Sequence, residues 1–218
     1  MSSNTVIAAA AFKPRPATLA DLDGICNLYF SAFAGSYILE NCFPRSSQEV
    51  QEFVKASRKE NLEDLSNVAF VIPDEDGNVI ASATWERPRN PENHATAAAT
   101  TAATAGEKGE KEVPWPKDGN PELAAAFFGG LQKKNREIMG DRPHWLLHLI
   151  MVLPEHQGKG LSTQLMNWGL KRAREDGLPI YLDATPRAKA VYERFGFKVV
   201  DTLTFGDGIL TEYMMVKD

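Results

Sequence analysis

The segment Trp145–Leu153, WLLHLIMVL, is apolar at every position but His148, and PEHQGKGLST follows it directly. Such a run reads as a buried strand, so the chain must lay other elements over both of its faces. From Leu161 to Glu175 the spacing of Leu161, Leu165, Trp168 and Ala173 marks one apolar side of a helix. The strand therefore hands over to a helix through Gln157, Gly158, Lys159 and Gly160. Free backbone N–H groups between Gln157 and Thr163, with the positive end of the helix dipole, suit a phosphate or pyrophosphate. Taken alone, the same residues also describe a plain turn with a solvated lysine. Two nucleotide motifs are excluded. A P-loop needs Ser or Thr directly after its lysine, and Gly160 stands there. A dinucleotide fingerprint needs a third glycine where Thr163 stands.

The rest of the chain supplies layers for that strand. Ala10 to Arg15 reads as a short strand, and Thr18 opens a helix running to about Ala32. A second helix is expected from about Ser47 to Lys59. Strands Val68–Ile72 and Val79–Trp85 are joined by DEDGN, a hairpin signal. A helix over Leu123–Met139 precedes the apolar strand. Beyond it come a strand at Ile180–Ala184, a helix over Pro186–Phe195, and antiparallel candidates at Phe197–Thr202 and Ile209–Val216. Hairpins in the first half and strand–helix alternation in the second give a mixed α/β class. From Arg87 to about Asn120 the composition turns to Ala, Thr, Pro, Gly and charge, including EKGEKE. We read residues 87–120 as a solvent-exposed, partly disordered insertion within one domain spanning residues 1–218.

Composition narrows the function classes. The 218 residues carry 24 Lys and Arg against 29 Asp and Glu, a net charge of −5, which argues against broad nucleic-acid contact. Cys26 and Cys42 have neither a disulfide framework's number nor a metal site's spacing. No apolar run reaches the roughly 20 residues of a membrane span, and the first residues lack a signal peptide's basic start. The expectation is a cytoplasmic protein, with nuclear access open, and no membrane partner. His144 and His148 sit four apart on a strand, about 13 Å, too far for one zinc ion, so no metal site is expected.

A second constellation lies downstream in TPRAKAVYERFGF, where Pro186 starts a helix and Gly196 ends it. Gln157, Gly160 and Ser162, taken with Tyr192, Glu193, Gly196 and Phe197, resemble the Gcn5-related N-acetyltransferase (GNAT) family. The likeness extends to LIMVLP and to PATLADLDGICNLYFSAF. Ser162 departs from the family's usual Gly or Ala, and TPRAKA lacks the Asn often found before the tyrosine helix. The resemblance implies the family's fold, a mixed central β-sheet flanked by helices, and acetyl-CoA as acyl donor. It implies that backbone groups of Met151 and Val152 bind the pantetheine arm. The amides of Gln157, Gly158, Lys159, Gly160, Leu161 and Ser162 would hold the pyrophosphate, with the Thr163 hydroxyl beside them. Tyr192 would stand near the thioester sulfur and protonate, or hydrogen-bond, the departing thiolate.

Direct attack needs a neutral amine, hence a base, and a donor for the oxyanion that develops. His148 is the first base candidate, because some amine acetyltransferases of the family carry a histidine at the matching place. Strand alternation would put Leu146, His148, Ile150 and Val152 on one face, opposite Met151. An ordinary partly buried histidine fits equally. Glu86, at the end of the preceding strand, is the alternative base, or else a solvated strand-end acid. The expected function is N-acetyl transfer to a primary amine, of a small molecule or a peptide, by a monomer or homodimer. A non-catalytic acyl-CoA sensor or interaction domain is the alternative.

Overall fold

The computed structural model describes residues 12–89 and 114–218. Residues 90–113, most of the expected insertion, and Ala10 and Ala11 of the expected first strand lie outside the described residues. The elements run β1 (Arg15–Pro16), α1 (Leu22–Ala32), α2 (Tyr37–Cys42), α3 (Gln48–Glu63), β2 (Asn67–Pro73), β3 (Val79–Glu86) and α4 (Pro121–Met139). They continue β4 (Trp145–Val152), α5 (Leu161–Asp176), β5 (Ile180–Ala184), α6 (Pro186–Arg194), β6 (Lys198–Phe205) and β7 (Leu210–Lys217). The strands form one sheet in the order β1-β2-β3-β4-β5-β7-β6. Only β4 and β5 pair in parallel, around the α5 crossover.

Local chemistry explains most boundaries. The Ser47 hydroxyl accepts the Val50 amide at the head of α3, and Asn120 accepts Leu123 at the head of α4. The expected start at Thr18 is a single 3-10 turn, Leu19–Asp21, before α1. There the Asp21 carboxylate accepts the Thr18 amide at 2.8 Å and two Arg15 guanidinium nitrogens at 2.6 and 2.9 Å. Helix α2 had no signal in the sequence, since six residues are too few to display a period.

Two cores flank the sheet. On one face Leu161, Leu165, Met166 and Ala173 of α5 and Tyr192 of α6 bury Ile80, Ala83, Trp85, Trp145, Leu147 and Leu182. On the other, α1 to α4 cover Val71, Val79, Met151, Tyr181 and Met214. Trp168 links α5 to the sheet, its ring 4.8 Å from Phe70 and 5.6 Å from Trp145.

β4 departs from the expected alternation. Its pairing with β3 runs Thr84↔Leu149 and then Trp85↔Leu147, leaving His148 as an extra residue. Trp145 and Leu147 before this bulge share a core with Ile150 and Val152 after it, while Leu146, Leu149 and Met151 lie on the opposite face. The reading that put Leu146 and Ile150 on one face is thereby corrected. A bulge bends its strand and adds twist, and β4 pairs with β5 only at Trp145↔Ile180 and Leu146↔Tyr181. Beyond Leu146 the two strands separate.

Helix α5 lies close to β3 at Gly169, where an added β-carbon would stand 2.3 Å from the buried Trp85 ring. Overpacking costs about 1–3 kcal/mol, against the ~1 kcal/mol that alanine returns in helix propensity. We expect Gly169→Ala to lower the unfolding free energy by up to about 2 kcal/mol, seen as a lower urea midpoint at an unchanged slope. A raised midpoint would mean that α5 can shift off β3 at no cost.

Candidate active site

The loop from β4 to α5 is set by two glycines. Gly158 and Gly160 have φ of 74° and 79°, a left-handed backbone that other residues adopt only with strain. An added β-carbon at either would meet nothing within 4 Å, so the requirement is the dihedral and the space beyond is open. Gly160 occupies the cap of α5 without a capping side chain. The first amides of α5 consequently have no intrahelical partner. Gln157 ties the loop down: its Nε2 donates to the Val152 carbonyl at 3.2 Å, and its Oε1 accepts from Arg187 Nη2. Leu161 anchors the helix start in the core, Ser162 is half-buried, and Lys159 and Thr163 are exposed.

The separated edge of β4 lies just before this loop. The Leu153 amide donates to the Ile80 carbonyl at 2.9 Å. Antiparallel ladders alternate every residue, so Met151 also directs its backbone to β3, while Ile150 and Val152 direct theirs to the open edge. Of the two residues expected to offer backbone groups to a donor arm, Val152 is on that edge and Met151 is not. Tyr192 is buried with Leu161 and Leu165 in the core under the loop, its ring 6.0 Å from Phe197. Burial and the neighbouring Glu212 raise its pKa well above the ordinary phenol value.

On the opposite face a cavity of about 340 Å³ is lined by α1 to α4, the bulged part of β4 and the ends of β5 and β7. Phe43, Phe53, Trp115 and Phe128 form an aromatic wall, with Trp115 stacked on Phe128 at 5.3 Å and Phe43 on Phe53 at 5.9 Å. His148 and Glu86 both reach it. His148 is open to the cavity but surrounded by protein, and the loss of solvent, with the charge of Arg58, lowers its pKa. Glu86 is buried and ion-paired with Arg89 at 3.0 Å, so it is not a solvated strand-end acid. A more open cleft of about 420 Å³ lies by Phe30, Pro44 and Leu153 and shares Leu39 and Phe43 with the cavity.

The cavity also holds charge that the sequence reading missed. Asp183, at the end of β5, accepts the Tyr181 hydroxyl at 2.7 Å, and burial raises its carboxyl to about 7. Glu212 of β7 is 5% exposed, and burial, then Asp183, raises it to about 8. A lone glutamate in the apolar strand ILTEYMMV was a visible signal, because such a residue is seldom buried without purpose. Arg58 gave none, being one of several charges in an amphipathic helix. Burial also raises the thiols of Cys26 and of Cys42, the latter to about 11, so neither is an activated nucleophile.

Comparison with known proteins agrees with this architecture. The Acetyltransferase (GNAT) family model matches residues 36–197. A histone acetyltransferase and related acetyltransferase from Corynebacterium glutamicum is 23% identical, covering 95% of this chain and 96% of that one, with a TM-score of 0.62. The Drosophila melanogaster polyamine N-acetyltransferase is 15% identical, covering 94% and 99%, with a TM-score of 0.60. The C-terminal condensation domain of Ebony, in complex with β-alanyl-dopamine, is 11% identical, covering 94% and 98%, with a TM-score of 0.65. At these identities the solved structures share the fold.

The two desolvated carboxyls, half-buried Asp183 and buried Glu212, give stability a definite pH slope. They keep protons in the folded state after the unfolded chain has released its own, so stability falls as pH rises through about 7 for Asp183 and about 8 for Glu212. His144 and His148 have lowered values and act with the opposite sign, but only below the unfolded value of 6.5. Between pH 6.8 and 8 we expect the melting temperature to fall, and to fall less in Glu212→Gln. Equal slopes in the two proteins would remove Glu212 from this account.

Proposed function

Since the chain belongs to the acetyltransferase (GNAT) family, we propose that it transfers the acetyl group of acetyl-CoA to the primary amine of a small molecule held in the cavity beside His148. The observation that carries this reading is a junction. An unpaired β4 edge runs into a glycine-set helix start, and the bulge on the same strand opens into a cavity lined by titratable groups. The donor supplies a thioester whose carbonyl carbon an amine can attack without any acyl-enzyme.

The chain's own residues divide the remaining work. Ile150 and the amide of Val152 face the donor's arm along the open edge, as a further strand would, while the Val152 carbonyl accepts from Gln157. The amides from Gly158 to Ser162 take the pyrophosphate, the Gln157 amide being bonded to the Pro154 carbonyl, with Lys159 and the Thr163 hydroxyl at hand and Arg187 steadying Gln157. An acceptor amine arrives protonated and must lose that proton. His148, neutral at pH 7 because its pKa is lowered, has a lone pair to take it. Glu86, held by Arg89, keeps a negative charge near the imidazolium that forms. Tyr192 keeps its proton at all working pH values, so it serves the leaving sulfur as a hydrogen-bond donor. The small-amine acceptor is supported by a fold relative that is a polyamine N-acetyltransferase.

Thiol release from acetyl-CoA across an amine panel tests the reading, and would separate catalysis from mere acyl-CoA sensing. Tyr192→Phe is expected to lower kcat about 100-fold with the KM for acetyl-CoA little changed, and an unaltered kcat would remove its role. Gly160→Ala should weaken acetyl-CoA binding by roughly 5- to 30-fold, the equivalent of a left-handed residue's 1–2 kcal/mol. A native protein that binds no acetyl-CoA by calorimetry would overturn the proposal.

A further inference from the structure

The cavity contains a guanidinium and a carboxyl group that the proposed chemistry does not use. Arg58 lines it from α3, and its Nε is sealed from solvent with no hydrogen-bond partner. Its guanidinium lies over the Tyr29 ring at 4.9 Å, and no carboxylate among the described residues forms an ion pair with it. Glu212 lines the cavity from β7, is 5% exposed, and has no hydrogen-bond or ion-pair partner among the described residues. Asp183 stands beside it. A guanidinium stays charged in a protein, and the Tyr29 ring offsets part of its desolvation without supplying the acceptor that a hydrogen-bonding anion would. The carboxyl of Glu212 equally lacks a donor. Arg58 and Glu212 do not satisfy one another, so each is left to a partner from outside the chain.

We infer that the acceptor is zwitterionic: an amine that also carries a carboxylate, with an apolar or aromatic body. Arg58 binds the carboxylate, the ammonium pairs with Glu212 and Asp183 and so favours release of their protons to solvent, and the body lies against Phe53, Trp115 and Phe128. A guanidinium pairs with carboxylate through two parallel hydrogen bonds, a geometry that neutral or purely cationic amines cannot use. A polycation would leave Arg58 unpaired and repelled. This inference rests on the acetyltransferase reading above and narrows its substrate class.

The test uses matched pairs on the full chain. L-phenylalanine and 4-(aminomethyl)phenylacetate are each compared with the carboxylate-free counterpart, 2-phenylethylamine and 4-methylbenzylamine. At least one zwitterion should exceed its counterpart in kcat/KM by about tenfold or more, mainly through KM. Arg58→Met should bring that ratio close to one, and Arg58→Lys should retain part of it. Counterparts that are equal or better in the native protein would overturn the inference, as would a ratio that persists in Arg58→Met. If no amine turns over, calorimetry on the coenzyme A-saturated protein decides by the same ratio of affinities, and absent or equal binding counts against it. Acetyl-CoA binding, measured separately, shows whether the acetyltransferase reading has failed as well.

Discussion

β4 pairs with β3 from Leu146 to Val152 but with β5 at only two residues, because an extra residue at His148 bends it. A strand edge exposed inside a protein is ordinarily a liability, since its amides and carbonyls have no partner. Here the edge faces a gap, and the helix that closes the gap starts with amides that are also unpartnered. The β4 edge and the start of α5 therefore each present backbone groups without a backbone partner, on either side of a loop whose His156 and Gln157 amides bond to Leu153 and Pro154. The bulge has a second effect, since it brings His148 and Leu149 together onto the cavity. One inserted residue thus sets both the edge for a donor and the wall for an acceptor.

The cavity is costly to the fold. The desolvated carboxyls of Asp183 and Glu212, a depressed imidazole at His148 and a guanidinium at Arg58 without an ion-pair partner among the described residues each lose solvent without full compensation. Apolar residues in their place would give a firmer core. The surrounding scaffold offsets that cost with dense packing elsewhere, above all where Trp85, Trp145 and Trp168 meet α5. Rigidity on the α5 face allows an open, polar interior on the other.

Much of this was legible in the residues. The run to Leu153, the two glycines and the tyrosine helix pointed to the strand, the loop and the family, because each depends on local pattern. Elements with a clear period or a capping signal fell close to their expected bounds, as α5 and β5 did. The face assignment along β4 failed at His148, since alternation assumes one partner residue for each residue of the strand. Glu212 could have been singled out as a charge inside an apolar strand. Arg58 could not, because nothing in an amphipathic helix distinguishes a charge facing a cavity from one facing solvent.

By itself, then, the sequence determined the family, the mixed sheet and the anion-holding turn, all of which follow from backbone preference and short-range spacing. Only the tertiary structure decided which of β4's backbone groups are free, that Glu86 is buried and paired, and that Arg58 and Glu212 share one cavity. Those outcomes depend on strands and helices distant in the chain. The phase of a ladder and the sum of charges around a cavity exist only once those elements have packed.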